Sequence, residues 1–171
     1  MAAPFYYESE NKIGGAVYYY SDLRRCNIYD GCKYKAKYTG KEESRFGFSM
    51  TSLGDINKDG FVDVAIGAPY EEGGGAVYIY LGQKGGLSPE PSQIIKHRGH
   101  KTIGYSMSGG LDMDLNEYPD LLIGAYESDE VILYKTRPII DISITVDGKE
   151  LNNINASKKG CQFNQTTDKT W

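Results

Sequence analysis

Residues 46–69 read Phe46-Gly-Phe-Ser-Met50-Thr-Ser-Leu-Gly-Asp55-Ile-Asn-Lys-Asp-Gly60-Phe-Val-Asp63-Val-Ala-Ile66-Gly-Ala-Pro69, and this stretch decides the fold. Its centre is a loop with oxygen-bearing side chains at alternate positions. Val62-Asp-Val-Ala-Ile66 has the β-branched content of a strand, as does Ala76-Val-Tyr-Ile-Tyr80. Glu71-Glu-Gly-Gly-Gly75 between them reads as a hairpin connection.

Working outward, the pattern recurs. Gly47-Phe-Ser-Met50 returns as Gly104-Tyr-Ser-Met107. In the same register Asp55 falls on Asp112, Asp63 on Asp120, and Ile66-Gly-Ala68 on Ile123-Gly-Ala125. A partial earlier copy, Gly15-Ala-Val-Tyr-Tyr-Tyr20, matches Gly75-Ala-Val-Tyr-Ile-Tyr80. The period is about 60 residues. In the complete copy the candidate strands lie around 46–52, 62–68, 75–81 and 92–96. The last copy offers 102–109, 120–125 and 130–135, then leaves the pattern at Arg137-Pro138. Four short strands in each repeat of about 60 residues predict an all-β chain of propeller blades. A solenoid or a sandwich does not predict four strands with so regular a loop.

Composition agrees and narrows the function. The 171 residues carry 21 Gly and 15 Tyr, which favours short strands and turns over a helical bundle. The formal net charge of -4 gives no sign of a nucleic-acid-binding surface. No apolar run approaches the ~18 residues of a membrane span. Met1-Ala-Ala-Pro-Phe-Tyr-Tyr-Glu8 lacks the basic and apolar regions of a secretory leader and looks like the internal Ile66-Gly-Ala-Pro-Tyr-Glu71. The expectation is a fragment cut at both ends.

Three cysteines leave one unmatched. Cys26 and Cys32 flank a turn-rich segment suited to a short local disulfide, while Cys161 would need a mate downstream. Three free thiols in a cytosolic protein are the alternative. The sequons at Asn155 and Asn164 favour an extracellular setting.

Asp55, Asn57, Asp59 and Asp63 occupy positions 1, 3, 5 and 9 of the first loop, with Gly60 at position 6 and the Phe61 carbonyl available at position 7. Hard divalent cations take several oxygens at about 2.3–2.6 Å, and Ca²⁺ accepts the irregular geometry of a loop. Asp112, Asp114, Asn116, the Tyr118 carbonyl and Asp120 repeat the arrangement, but position 6 is Glu117, which predicts a strained turn. An EF-hand is excluded, since position 12 is Ile66 or Ile123 inside an apparent strand. A single such loop has an alternative as an acidic turn that binds nothing; two in register point to two calcium ions.

These residues resemble the FG-GAP repeat of integrin α-subunits: Phe46-Gly47, the Asp55–Asp63 loop, and Gly67-Ala-Pro69. The last copy is similar, with Ile103-Gly104 and Gly124-Ala-Tyr126 in the corresponding places. Gly85-Gly-Leu-Ser-Pro-Glu-Pro-Ser-Gln-Ile-Ile95 resembles the linker between integrin repeats. Tyr126–Leu133 and Tyr134-Lys-Thr-Arg-Pro-Ile-Ile140 resemble the end of the seventh repeat and the entry into the immunoglobulin-like thigh domain. The resemblance implies about two and a half blades of a seven-bladed β-propeller, followed by the first strands of that domain. Its boundaries would be 1–40 for the end of one blade, 41–97 for a complete blade, 98–137 for the last blade and 138–171 for the thigh domain.

The resemblance further implies a cell-surface adhesion receptor. It would be the extracellular part of a single-pass membrane protein, paired with an integrin β subunit and meeting a matrix or cell-surface ligand through earlier blades. Phe48 and Tyr105 would face the β subunit, calcium would rigidify the blades, and no substrate would be transformed. The rival is a secreted enzyme bearing such a propeller, of phospholipase D-like or polysaccharide-lyase-like type. Arg137-Pro-Ile-Ile-Asp-Ile-Ser-Ile-Thr-Val146, an alternating strand with sequons behind it, suits a thigh domain better than a catalytic one.

Plainer roles are expected elsewhere. Tyr18, Tyr20, Tyr78 and Tyr80 alternate along strands and read as blade packing. His97 and His100 read as a solvated basic loop, Lys33–Lys41 as a solvated outer strand, and no nucleophile or phosphate-loop motif is present.

Overall fold

Short β-rich segments broken by glycine turns leave no room for long helices. The computed structural model, which describes residues 1–21 and 32–140, is all-β apart from one 3-10 turn at Tyr126–Ser128. The strands are β1 (Ala2–Glu8), β2 (Ile13–Tyr19), β3 (Ala36–Lys41), β4 (Ser49–Gly54), β5 (Asp63–Ala68), β6 (Ala76–Tyr80), β7 (Gly82–Gln83), β8 (Gly86–Leu87), β9 (Gln93–Ile95), β10 (Ile103–Leu111), β11 (Asp120–Ala125) and β12 (Glu130–Tyr134). They form three antiparallel blades in chain order, β1-β2-β3, β4-β5-β6-β9 and β10-β11-β12, with β7-β8 as a small separate hairpin.

Register follows the repeat. Thr51 faces Ala65 and Val64 faces Tyr80 in the middle blade, and Val77 faces Ile95 at its outer edge. In the next blade Met107 faces Ile123, and Ile123 faces Ile132. The expected strand at 46–52 begins later, at Ser49. Gly47 takes φ +87, and the Phe48 amide donates back to the Arg45 carbonyl at 3.0 Å, so Phe46-Gly47-Phe48 turns rather than extends.

The core lies between blades. Every residue of β6 is buried, yet successive side chains enter different cores. Val77 and Ile79 pack with Leu53, Ala65, Ile95, Ile103, Leu121 and Ile123, facing the following blade. Ala76, Tyr78 and Tyr80 pack with Val17, Tyr38, Phe46, Ile66 and Ala68, facing the preceding one. The tyrosines at 78 and 80 are thus blade packing, as their spacing predicts, and the usual apolar-polar alternation disappears because both sheet faces are covered. Phe46, fully buried, meets the Tyr78 ring edge-on at 5.2 Å and the Tyr80 ring at 6.4 Å.

The repeat's glycines set how closely blades approach. A Cβ at Gly67 would stand 2.2 Å from the Gly104 carbonyl oxygen, which already accepts a 2.6 Å hydrogen bond from Ser49 Oγ. Gly104 itself has φ +83. The conserved-looking pattern in the two copies therefore has a steric cause: the glycine ending one blade's second strand abuts the glycine opening the next blade.

A buried carboxylate ties the middle blade to the preceding one. Glu71, in the β5–β6 connection, is 1% exposed and pairs with Lys41 at 2.9 Å and Lys96 at 2.6 Å, while the Tyr78 hydroxyl donates to its other oxygen. Burial pushes the Glu71 carboxyl up, but hydrogen bonds from Lys96, Tyr78 and Lys41 outweigh that and hold it below its ordinary value of 4.5. The chain from Met1 to Ile139 forms one unit. The expected thigh-domain strands, Cys26, Cys161, Asn155 and Asn164 lie outside the described residues; Cys32 is disulfide-bonded.

Phe46→Ala should lower stability by about 3–5 kcal/mol, the usual cost of emptying a phenylalanine site, measured by urea unfolding. Glu71 has a lowered folded-state pKa. Its contribution is present above about pH 4.5 and is lost as pH falls through the folded-state value. Glu71→Gln should accordingly flatten the loss of stability as pH falls below about 4.5 in a denaturation series; an unchanged slope would remove Glu71 from the acid response.

Candidate metal centre

Each loop is built by its own aspartates before any ligand is considered. In the first, Asp55 accepts from the Asp59 amide (3.0 Å) and the Gly60 amide (2.8 Å), which winds the chain around position 1. Asp59 accepts from the Phe61 amide at 2.9 Å. Asp63 accepts from the Ile56 amide at 2.9 Å with one oxygen and from the Gly82 amide at 2.7 Å with the other. Asp63 thereby ties the loop's start to the exit of β6.

The second loop copies this bond for bond. Asp112 accepts from the amides of Asn116 (3.1 Å) and Glu117 (2.7 Å), and Asn116 Oδ1 from the Tyr118 amide (2.8 Å). Asp120 accepts from the amides of Met113 and Thr136, both at 2.9 Å. Thr136 also bonds through its hydroxyl to the Pro119 carbonyl (2.6 Å), and its carbonyl takes the Asn116 amide group at 2.8 Å. The second loop is therefore clasped by the segment that follows β12.

Both loops demand left-handed backbone at the same two places. Lys58 and Gly60 have φ +61 and +88; Leu115 and Glu117 have φ +61 and +72. The strain expected at Glu117 is present, in a residue with a Cβ.

Asp63 is fully buried and Asp120 nearly so, and among the described residues no lysine or arginine forms an ion pair with Asp55, Asp59, Asp63, Asp112 or Asp120. Burial pushes the Asp63 carboxyl up, its two backbone hydrogen bonds pull it down, and Asp59 and Asp55 push it up further. Asp112 behaves oppositely: desolvation pushes it up, but amide hydrogen bonds from Glu117, Asn116, Leu115 and Asp114 together outweigh that and hold it low. Ligand oxygens of Asp112, Asp114 and Asp120 lie within 4.8 Å of one another, with Asp114 also 3.5 Å from Lys135. The aspartates of the first loop do not gather as closely; there Asp59 accepts from the Asn57 side-chain amide at 2.8 Å. The donor set is all-oxygen, clustered and short of counter-charge, which fits a hard divalent cation.

At the other end of the blades, Phe48 and Tyr105 meet at 4.8 Å, each half-buried. They sit inside a longer row. Arg45 stacks over Phe5 at 5.1 Å and over Tyr70 at 4.4 Å; Tyr70 reaches Phe48 at 6.2 Å, and Tyr105 stacks on Tyr126 at 5.0 Å. The sequence pointed to the two central rings but not to Arg45, Phe5, Tyr70 and Tyr126. The last three had a signal, since each follows an Ala-Pro or Gly-Ala pair, Tyr70 and Tyr126 just past the second strands of their blades. The histidine loop also differs from expectation. His97 and His100 are half-buried and packed edge-on at 5.0 Å, and His100 pairs with Glu130 of β12.

Antiparallel blades joined through paired acidic loops define a propeller protein of the FG-GAP type, and the FG-GAP repeat family matches residues 46–80. The chain is 42% identical to integrin alpha-6 of Gallus gallus over 89% of its length, 43% identical to integrin alpha-7 of Homo sapiens over 84%, and 44% identical to integrin alpha-3 of Mus musculus over 83%. It belongs to the integrin α-subunit family. The chain spans only 12–14% of the length of those relatives.

Gly60→Ala should cost about 1–2 kcal/mol of thermal stability. A Cβ there meets nothing within 4 Å, so the loss is conformational and should appear with or without added cation.

Proposed function

We propose that this chain forms the closing blades of a seven-bladed propeller in the extracellular part of a single-pass integrin α subunit. The blades divide near residues 40, 97 and 137, and the thigh domain begins at about 138. The subunit pairs with an integrin β subunit and takes part in adhesion to matrix or cell-surface proteins. The observation that carries this reading is the aromatic row from Phe5 through Tyr70, Phe48 and Tyr105 to Tyr126, drawn from all three blades and set at one end of the strands. Tyr126 is 66% exposed and Phe5 75%, so the row offers a continuous apolar face with an arginine within it. Faces of this composition suit protein partners, where aromatic and arginine anchors dominate the energy.

The role assigned to the chain is recognition, without chemistry on a substrate. The relatives favour it over a propeller carried by a secreted enzyme. Two calcium ions complete the reading. Asp55, Asn57, Asp59, Asp63 and the Phe61 carbonyl would hold one; Asp112, Asp114, Asn116, Asp120 and the Tyr118 carbonyl the other. Each ion would neutralise its aspartates and fix the strand exit that Asp63 or Asp120 already grips. Glycosylation at Asn155 and Asn164 belongs to the same proposal.

Two measurements test it. Co-expression of the full-length subunit with an integrin β subunit should yield a heterodimer, and Phe48→Ala with Tyr105→Ala should weaken recovery at least tenfold, given that buried aromatic anchors carry about 2 kcal/mol or more each. Undiminished pairing would take these two residues out of the interface. Calorimetry on the whole propeller should lose one Ca²⁺ when Asp55 and Asp63 are replaced by Ala, and an unchanged stoichiometry would exclude the first loop.

A further inference from the structure

The two acidic loops, 57 positions apart in the repeat, touch one another. Lys58, at position 4 of the first loop, extends its ammonium group to the Glu117 carbonyl of the second and lies 4.9 Å from the centre of the Tyr118 ring. Beneath that contact the loops also pack: a Cβ on Gly54, just before Asp55, would stand 3.1 Å from Pro119 Cγ, just before Asp120. Lys58 thus grips the segment whose next carbonyl, Tyr118, belongs to the second loop's ligand set. The Glu117 it holds is the residue forced to φ +72.

We propose that Lys58 couples the two loops, so that cation binding in the first loop raises the affinity of the second. This rests on the reading that both loops hold calcium. The physical route is ordering. Asp59, next to Lys58, is fixed by hydrogen bonds to Asp55 and Asn57, the side chains a cation in the first loop would draw together. Filling that loop therefore holds the Lys58 backbone at its left-handed φ and steadies its ammonium on the Glu117 carbonyl. It also neutralises carboxylates that would otherwise compete for the lysine. The second loop then binds with part of its ordering already in place, which is positive cooperativity without a change of fold. Linkage makes the effect mutual: the second ion favours the first by the same factor.

Calcium titrations by calorimetry on the full-length protein test the coupling, with Asp114→Asn used to identify the second loop's binding step. Lys58→Met should weaken that step about fivefold, the lower end of common coupling factors, and leave the number of bound ions unchanged. Emptying the first loop with Asp55→Asn and Asp59→Asn, which spare the buried Asp63, should weaken the second step by a similar factor. Adding Lys58→Met to that variant should weaken it no further. An unchanged second step in Lys58→Met, or penalties that simply add, would overturn the coupling. If wild-type protein takes up no calcium in either loop, the reading of the loops themselves fails.

Discussion

Asp63 is a carboxylate removed from water, with no lysine or arginine paired to it among the described residues, gripping two backbone amides that belong to different parts of its blade. A buried anion left in that state is costly, because desolvation penalises its charged form and neighbouring carboxylates add to the penalty. The local structure answers with amides. One comes from the start of the loop, the other from the exit of β6, so the solution to an electrostatic problem is also a mechanical clamp. Asp120 repeats it with Met113 and Thr136. The remaining negative charge is what makes each loop suitable for a hard cation.

Blade packing is organised around the same strands. β5 and β6 run through the middle of a four-stranded sheet covered on both sides, and their alternate residues are divided between two cores. The loop end of β5 begins at Asp63; its other end finishes at Gly67-Ala68, where the next blade arrives against Gly104. Acidic loop, core strand and inter-blade contact are thus successive stretches of a few residues each. The aromatic row begins where those strands end, with Tyr70 and Tyr126 just past β5 and β11. One unit of sequence carries the acidic loop at one end and the aromatic row at the other.

Much of this was legible in the residues. The strand positions of the middle copy follow from β-branched and aromatic spacing and glycine turns, and oxygen side chains at alternate loop positions marked both loops. Less legible was everything made by residues far apart in the chain. Nothing local tells that Glu71 is buried between Lys41 and Lys96, that Arg45 lies between Phe5 and Tyr70, or that His100 pairs with Glu130 rather than facing solvent. These contacts join residues far apart in the chain, some within a blade and some between blades, whereas sequence periodicity describes only strand and turn spacing.

The sequence by itself determined the repeat, its strands and the oxygen-rich composition of its loops, because strand propensity, turn glycines and alternate acidic side chains act over a few residues. It also predicted a cost at Glu117, since a residue with a Cβ stands where the first loop has glycine. Only the tertiary structure decided how the copies meet. The close approach at Gly67 and Gly104 and the contact between Lys58 and the second loop both depend on the angle and distance between blades. Those are set by packing of side chains on both faces of each sheet, which no single copy of the repeat contains.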